Sequence, residues 1–330
     1  MSELRRDPTT REWVIIASER AARPHSFRAP PRPRTTSREG CPFCPGRESE
    51  TPPEVLVRPQ NGPWRVRVVP NLYAALTPGG STERRIVDGH FMTMDGVGAH
   101  EVVIETPDHE QPIGLMTKDE VFDILVVYQQ RYLALKEDPS IRFVVIFKNH
   151  GPRAGTSLEH PHSQIVATPI APPQVRRRFE IATEHYDARG RCVYCELVEW
   201  EQQAGRRVVM ESDGFLVIHP YASRSPFETW IVPKAHLPCF ASTKQEEFLQ
   251  LATILGTTLR KIYHALGDPD FNYIVHTAPV EDEDNPYFHW HVQIVPRLTT
   301  VAGFEMGSGI YINTALPEET ARFIRELPDD

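Results

Sequence analysis

Four of the chain's five cysteines stand in two CxxC pairs, Cys41/Cys44 and Cys192/Cys195, and Cys239 is alone. Downstream of each pair lies an H-x-H-x-Q run, His160-Pro-His162-Ser-Gln164 and His289-Trp-His291-Val-Gln293. The opening residues, MSELRRDPTT, carry no apolar leader, and in such a chain CxxC signals metal or redox chemistry before a structural disulfide. A redox pair belongs at a strand-to-helix junction, whereas Cys41 and Cys44 follow a proline-rich stretch (Pro24, Pro30, Pro31, Pro33). Metal is therefore the better reading of both pairs.

A duplication points to the remaining ligands. Residues 41–169 and 192–297 carry the same features in the same order: a CxxC pair, a strand running through a proline step to His109 or His236, an S/T-x-x-E helix start, and the H-x-H-x-Q run. The offsets are 127 residues between the two strand-end histidines, 126 between the helix starts and 129 between the H-x-H runs. Each copy thus offers four ligands, Cys41, Cys44, His109 and His160 in the first and Cys192, Cys195, His236 and His289 in the second. Two thiolates and two neutral imidazoles close a tetrahedral shell, which predicts two structural Zn2+ sites.

His162 carries the catalytic expectation. Residues two apart on a strand share a face, so His160 and His162 project together, one to the metal and the other to whatever lies above the sheet. The run before them, Asn149 to Glu159, contains Gly151, Gly155 and small hydroxyl residues and is suited to turning backbone N–H groups toward an anion. An imidazole nucleophile, a glycine-containing loop and the neutral amide of Gln164 together suit phosphorus chemistry through a phosphoramidate. In the second copy, the acidic run VEDEDNPYF before His289 and His291 repels a diphosphate, so that half reads as scaffold.

The elements that must hold these groups are legible. Thr117-Lys-Asp-Glu120 and Thr243-Lys-Gln-Glu246 read as capping boxes. Apolar residues follow at helical spacing: Val121, Ile124, Leu125, Tyr128, Tyr132 and Leu135, then Phe248, Leu251, Leu255, Leu259, Ile262 and Leu266. The expected fold is α+β, with an antiparallel sheet and one long helix in each half and the two sheets joined into one extended sheet or half-barrel. The expected division is a catalytic half over 1–169 and a half with the second metal site over 170–330. A loose loop is expected from Arg23 to Gly40, and a linking helix from Ile170 to Arg191. At 330 residues the chain exceeds one ordinary domain, and 40% hydrophobic with 24% charged residues is ordinary globular composition. No apolar run approaches the ~18 residues of a membrane span. A net charge of −8 argues against a nucleic-acid partner. The expected location is cytoplasmic.

NHGPRAGTSLEHPHSQ resembles the active-site segment of the galactose-1-phosphate uridylyltransferase family, in the histidine-triad superfamily, whose members fuse two triad-like halves. The resemblance continues through RRDPTTREWVIIASERAARP, CPFC, VPNLYAAL, TPDH, PFETWIVPKAH and HWHVQIVPR. It implies two duplicated histidine-triad-like halves and a nucleotidyltransferase of galactose metabolism (the Leloir pathway). Such an enzyme exchanges UMP between UDP-glucose and galactose 1-phosphate through a uridylyl-histidine on His162. By the same resemblance Gln164 holds phosphoryl oxygens, and Ser157 with Gly155 and Thr156 cradles the phosphates. Arg20 and Arg23 bind phosphate, Asn71 and Asn149 contact the nucleoside, and Glu305 holds hexose hydroxyls across a homodimer interface. The partners implied are a nucleotide sugar and a sugar 1-phosphate.

Three departures bear on the substrate. Thr156 stands where the best-known members have cysteine, Leu72 stands where they have an acidic residue, and the second metal set is Cys2His2 rather than carboxylate and histidine. That set, with GFEMGSGIYIN, resembles the plant-type branch that acts on ADP-glucose, so an ADP-glucose (or dinucleotide) phosphorylase that transfers AMP to phosphate through the same histidine stays as the alternative. A hydrolase is disfavoured by Gln164, since hydrolytic triad proteins have a proton-passing histidine there.

Overall fold

The computed structural model describes residues 2–17, 24–28 and 38–329. The chain begins with β1 (Glu3–Arg6) and β2 (Trp13–Ile16). The first half continues through β3 (Leu56–Arg58), β4 (Val66–Pro70), a hairpin of β5 (Arg85–Val87) and β6 (Phe91–Thr93), β7 (Ala99–Ile104), α1 (Lys118–Lys136), β8 (Phe143–His150) and β9 (His162–Thr168). Helices α2 (Pro173–Arg189) and α3 (Val193–Ala204) lead into β10 (Val208–Glu211), β11 (Phe215–Ile218), β12 (Thr229–Pro233), α4 (Gln245–Leu266), β13 (Phe271–His276) and β14 (His291–Pro296). The chain closes with α5 (Gly303–Ser308), β15 (Tyr311–Asn313) and α6 (Pro317–Arg325).

Ten strands form one antiparallel sheet in the order β10-β11-β12-β14-β13-β8-β9-β7-β4-β3. Read outward from the centre, both arms follow the same order, so the duplication in the sequence is a duplication in space. The arms meet along β8 and β13, where Asn149 lies opposite Asn272 and His150 opposite Phe271. This is the extended-sheet form of the expected α+β fold.

Both long helices pack on one face. From α1, Val121, Ile124, Leu125, Tyr128 and Tyr132 are buried, and so are all six apolar positions expected of α4, while Leu135 packs partly buried against the same core. At α1 the capping box forms as the spacing requires, with Thr117 N–H donating to Glu120 Oε2 at 2.7 Å and Glu120 N–H to Thr117 Oγ1 at 3.4 Å. At α4 the frame is shifted by one. Thr243 is tied into the preceding turn, its N–H on Phe240 O at 3.1 Å and its carbonyl taken by Gln129 Nε2 at 2.8 Å. Lys244 is therefore the N-cap, and its N–H donates to Glu247 Oε2 at 2.8 Å, rather than Thr243 pairing with Glu246.

The opposite face is covered differently in the two arms. Over the second arm, α2 and α3 bring Phe179, Ala182, Val193, Tyr194 and Val198 onto Leu216, Ile218, Trp230 and Val232. The expected linking helix is α2, ended by Gly190 at φ 68° in the left-handed region. Over the first arm, among the described residues, the short Cys41–Cys44 segment packs with Phe43 on Val69, Val102 and Ile104, joined by the partly buried Trp64 and Leu158. That thinner cover leaves room for a site. The expected loop from Arg23 to Gly40 falls mostly outside the described residues. A small sheet of β1, β2 and β15 lies against the second arm, where Arg5 pairs with Glu318 at 2.9 Å and donates to Tyr221 O at 3.0 Å. No helix among the described residues is long and apolar enough to cross a membrane.

Candidate active site

Both predicted ligand sets assemble. The ligand atoms of Cys41, Cys44, His109 and His160 lie within 4.8 Å of one another, as do those of Cys192, Cys195, His236 and His289. In the first, Cys44 Sγ is 3.4 Å from His109 Nδ1 and 3.6 Å from His160 Nδ1, and Cys41 Sγ is 3.7 Å from His160 Nδ1. In the second, Cys195 Sγ is 3.3 Å from His236 Nδ1 and 3.6 Å from His289 Nδ1. A tetrahedron with zinc–sulfur and zinc–nitrogen bonds of about 2.3 and 2.0–2.1 Å has sulfur–nitrogen edges of roughly 3.5 Å, so both sets fit a zinc ion. The second shells fit as well, since His160 Nε2 donates to Thr106 O at 2.8 Å and His236 Nε2 to Asn285 O at 3.1 Å, which leaves Nδ1 for the metal.

His162 opens β9 one step beyond the first cluster and shares a face with His160 and Gln164. Its Nδ1–H donates to His160 O at 2.8 Å, so Nε2 carries the lone pair. Burial lowers its pKa from the ordinary histidine value, which keeps the ring neutral. Its peptide is clamped from the helix-covered face. There the buried Lys148 Nζ donates to His162 O at 3.0 Å and to Glu105 Oε2 at 2.5 Å. Tyr128 hydroxyl, 3.4 Å from Glu105 Oε1, bonds Ser163 Oγ at 2.6 Å and the Tyr273 hydroxyl.

A cavity over His162 is lined by His160, Asn149, Thr156, Ser157 and His150. Its loop departs from expectation. Gly151 and Gly155 adopt φ 85° and 90°, which only glycine takes without strain, but the turns they make consume donors. Ala154 and Thr156 N–H go to Gly151 O, Gly155 N–H to Pro152 O and Arg153 N–H to Asp270 Oδ2. The N–H groups of residues 153–156 are thus spent within the protein, and an anion in the cavity would meet Ser157 and side chains instead. Thr156 hydroxyl bonds Asn149 O, fixing the loop to β8.

Asn149 Oδ1 accepts from Asn272 Nδ2 at 2.7 Å, which leaves its own amide nitrogen for a ligand. Asn272 is held in turn by Arg297 Nε at 2.5 Å and also donates to Ala154 O at 2.9 Å. Sequence reasoning missed Asn272 and Arg297, because they reach the first half only through the β8–β13 seam. Asn71 sits at the end of β4 beside His100, also missed, and its Oδ1 accepts from Tyr73 N–H at 2.9 Å. Arg20 and Arg23 lie outside the described residues. Glu305 is not brought to His162 within one chain. It lines a separate cavity of the second half with Arg224, Arg297 and Tyr311, and its carboxylate accepts from Ala302 N–H at 3.1 Å.

The second H-x-H run makes no equivalent centre. His291 is fully buried between Trp230 and His276, stacked on them with ring centroids 4.6 and 4.7 Å away. Stacking closes this half, where the sequence had pointed to the acidic loop.

Two duplicated arms thus share one sheet, and in one of them His162 lines a cavity beside a Cys2His2 cluster. The chain belongs to the galactose-1-phosphate uridyl transferase family: the family's N-terminal domain matches residues 1–172 and its C-terminal domain residues 178–329. It is 39% identical to the ADP-glucose phosphorylase of Arabidopsis thaliana, over 98% of this chain and 93% of that one. It is 31% identical to the galactose-1-phosphate uridylyltransferase of Thermotoga maritima, over 99% and 98%. The crystal structure of the Arabidopsis enzyme with bound ADP-glucose superposes with a TM-score of 0.85 at 36% identity, covering 99% of this chain and 100% of that one. A uridylyltransferase structure gives 0.76 at 27% identity, over 98% and 97%.

Proposed function

We propose that the protein transfers a nucleoside monophosphate from a nucleotide sugar to a phosphorylated acceptor through His162. The observation that carries this is the His162 tautomer, with Nδ1–H committed to His160 O and Nε2 left as nucleophile beside Gln164. Nε2 attacks the α-phosphorus and the bond from that phosphorus to the oxygen of the sugar phosphate breaks, so the sugar 1-phosphate leaves with the electron pair. The acceptor's phosphate oxygen then attacks the same phosphorus, and the pair of the N–P bond returns to Nε2. As Nε2 becomes substituted the ring turns cationic, and the carbonyl of His160 stabilises that charge through Nδ1–H. Gln164, Asn149 and Ser157 serve as donors to the phosphates, with Gly155 and Thr156 shaping the loop. Both metals would be zinc and structural, since four protein ligands leave no open position.

The donor and acceptor we favour are UDP-glucose and galactose 1-phosphate, which agrees with the family to which both halves belong. A second reading, AMP from ADP-glucose to inorganic phosphate, is favoured by the Cys2His2 second cluster and by the 39% identity with the Arabidopsis phosphorylase. We take 1–169 as the catalytic half and 170–330 as the scaffold half. The working form is a cytoplasmic homodimer in which Glu305 serves the partner's hexose, with Arg20 and Arg23 on phosphate and Asn71 on the nucleoside. Intact-protein mass after brief incubation with equal UDP-glucose and ADP-glucose, beside a His162→Ala control, tests the reading. A UMP adduct absent from the control supports the first donor and an AMP adduct the second, while no adduct with either overturns both.

A further inference from the structure

Gln164 and Gln293 occupy the same place in the two arms, Gln164 opposite Val102 and Gln293 opposite Trp230. Their carboxamides are held in different ways. In the second arm both ends are consumed. Arg178 Nη1 lies 2.7 Å from His276 Nδ1, and a guanidinium only donates, so His276 Nε2 carries the ring proton and gives it to Gln293 Oε1 at 2.7 Å. Gln293 Nε2 in turn donates to Glu228 Oε1 at 2.7 Å. Glu228 stands two residues before Trp230, and the residue in that position of the first arm, two before Val102, is His100.

The His100 tautomer follows from a backbone donor whose proton is fixed. Ala75 N–H lies 3.1 Å from Nδ1, so Nδ1 accepts and Nε2 bears the proton. That proton meets Gln164 Oε1 at 2.7 Å. Asn71 Nδ2, 3.1 Å from the same Nε2, stands as a donor against a donor and does not compete for Gln164. With its oxygen taken, Gln164 keeps its amide hydrogens, and no group among the described residues accepts them. A glutamate at position 100 would reverse this: as an acceptor only, it would capture the nitrogen, as Glu228 does in the second arm.

We propose that His100 is a positioning residue for nucleotidyl transfer, which fixes the Gln164 carboxamide with its NH2 toward the phosphoryl group at His162. The inference rests on the reading of His162 as the nucleotidyl acceptor. It makes the sign of one side chain's hydrogen bonding, donor at His100 and acceptor at Glu228, part of what separates the working arm from the other.

The test is the single-turnover rate of adduct formation, with KM for the nucleotide sugar measured alongside, in His100→Ala, His100→Gln and His100→Glu. Loss of one donor to a developing oxyanion costs on the order of 100-fold or more, and loss of its orienter less. The expected falls are about 10-fold for alanine, within about 3-fold for glutamine, which keeps an N–H donor, and about 100-fold for glutamate, all in rate with little change in KM. In a Gln164→Ala background, His100→Glu should have almost no further effect, because it acts through the missing amide. If His100 only anchors the loop around Ala75, the three variants fall together and the effects add to that of Gln164→Ala, which overturns the proposal. A wild-type protein that forms no adduct overturns the reading of His162 and this inference with it. A wild-type adduct with indifferent His100 variants overturns this inference alone.

Discussion

Lys148 and Glu105 form a fully buried ion pair directly under the His162 peptide. Removing one partner strands the other charge in the core, which typically costs about 3–5 kcal/mol. Lys148→Met should therefore lower the urea midpoint sharply, whereas Lys148→Met with Glu105→Leu should recover much of the loss, and equal midpoints for the single and double variants would contradict this. His219 supplies a pH dependence. It is fully buried against Thr320 Oγ1 at 2.7 Å, and burial pushes its pKa down to about 3. The unfolded ring titrates near 6.5, so below that pH the unfolded state binds a proton that the folded state refuses. The stability from the neutral ring is full above about 6.5 and lost as pH falls toward 3, at about 1.4 kcal/mol per pH unit. Urea unfolding between pH 7 and 4.5 checks it, and His219→Gln should flatten the slope. Of the site itself, the histidine and cysteine ligands were legible because strand alternation and duplication are patterns in one dimension. His100, Lys148 and Asn272 were not, because each acts across a strand pairing that no local spacing encodes.

Among the elements, the two long helices were read from apolar spacing, and their starts show where such reading stops. Thr117 caps α1 as its S/T-x-x-E spacing demands, so Thr117→Ala should cost about 1 kcal/mol in thermal or urea unfolding. The same spacing at Thr243 is overridden by a tertiary bond, since Gln129 of α1 holds the Thr243 carbonyl and the turn before it. Glu247, not Glu246, takes the capping role, so Glu247→Ala should destabilise more than Glu246→Ala, and the reverse order would refute the shifted frame. A capping motif states which residues could close a helix start, and packing against a neighbouring helix decides which do.

For the molecule as a whole, each cysteine pair meets two distant histidines, so a metal held by each set would fasten a covering segment onto its arm. The protein should bind two equivalents of zinc by elemental analysis. Extraction with a strong chelator should lower the melting temperature and expose thiols to a colorimetric reagent in proportion to zinc lost, while one equivalent or none would count against the paired sites. Charge and composition argued against membrane and nucleic-acid classes, and the duplication foretold one joined sheet, but the seam could not be read because it pairs residues over a hundred positions apart.

That seam has a further meaning. An arrangement whose strand order reads the same outward from its middle is what two separate, identical copies of one arm would build by themselves, each presenting β8 to the other. In such an ancestor every substitution appears in both copies at once, and neither can change without the other. Joining the copies through α2 removes that constraint. Trp230, His276 and Glu228 on one side and Val102, Asn149 and His100 on the other are then free to diverge, each arm keeping the strand order while its side chains take their own course.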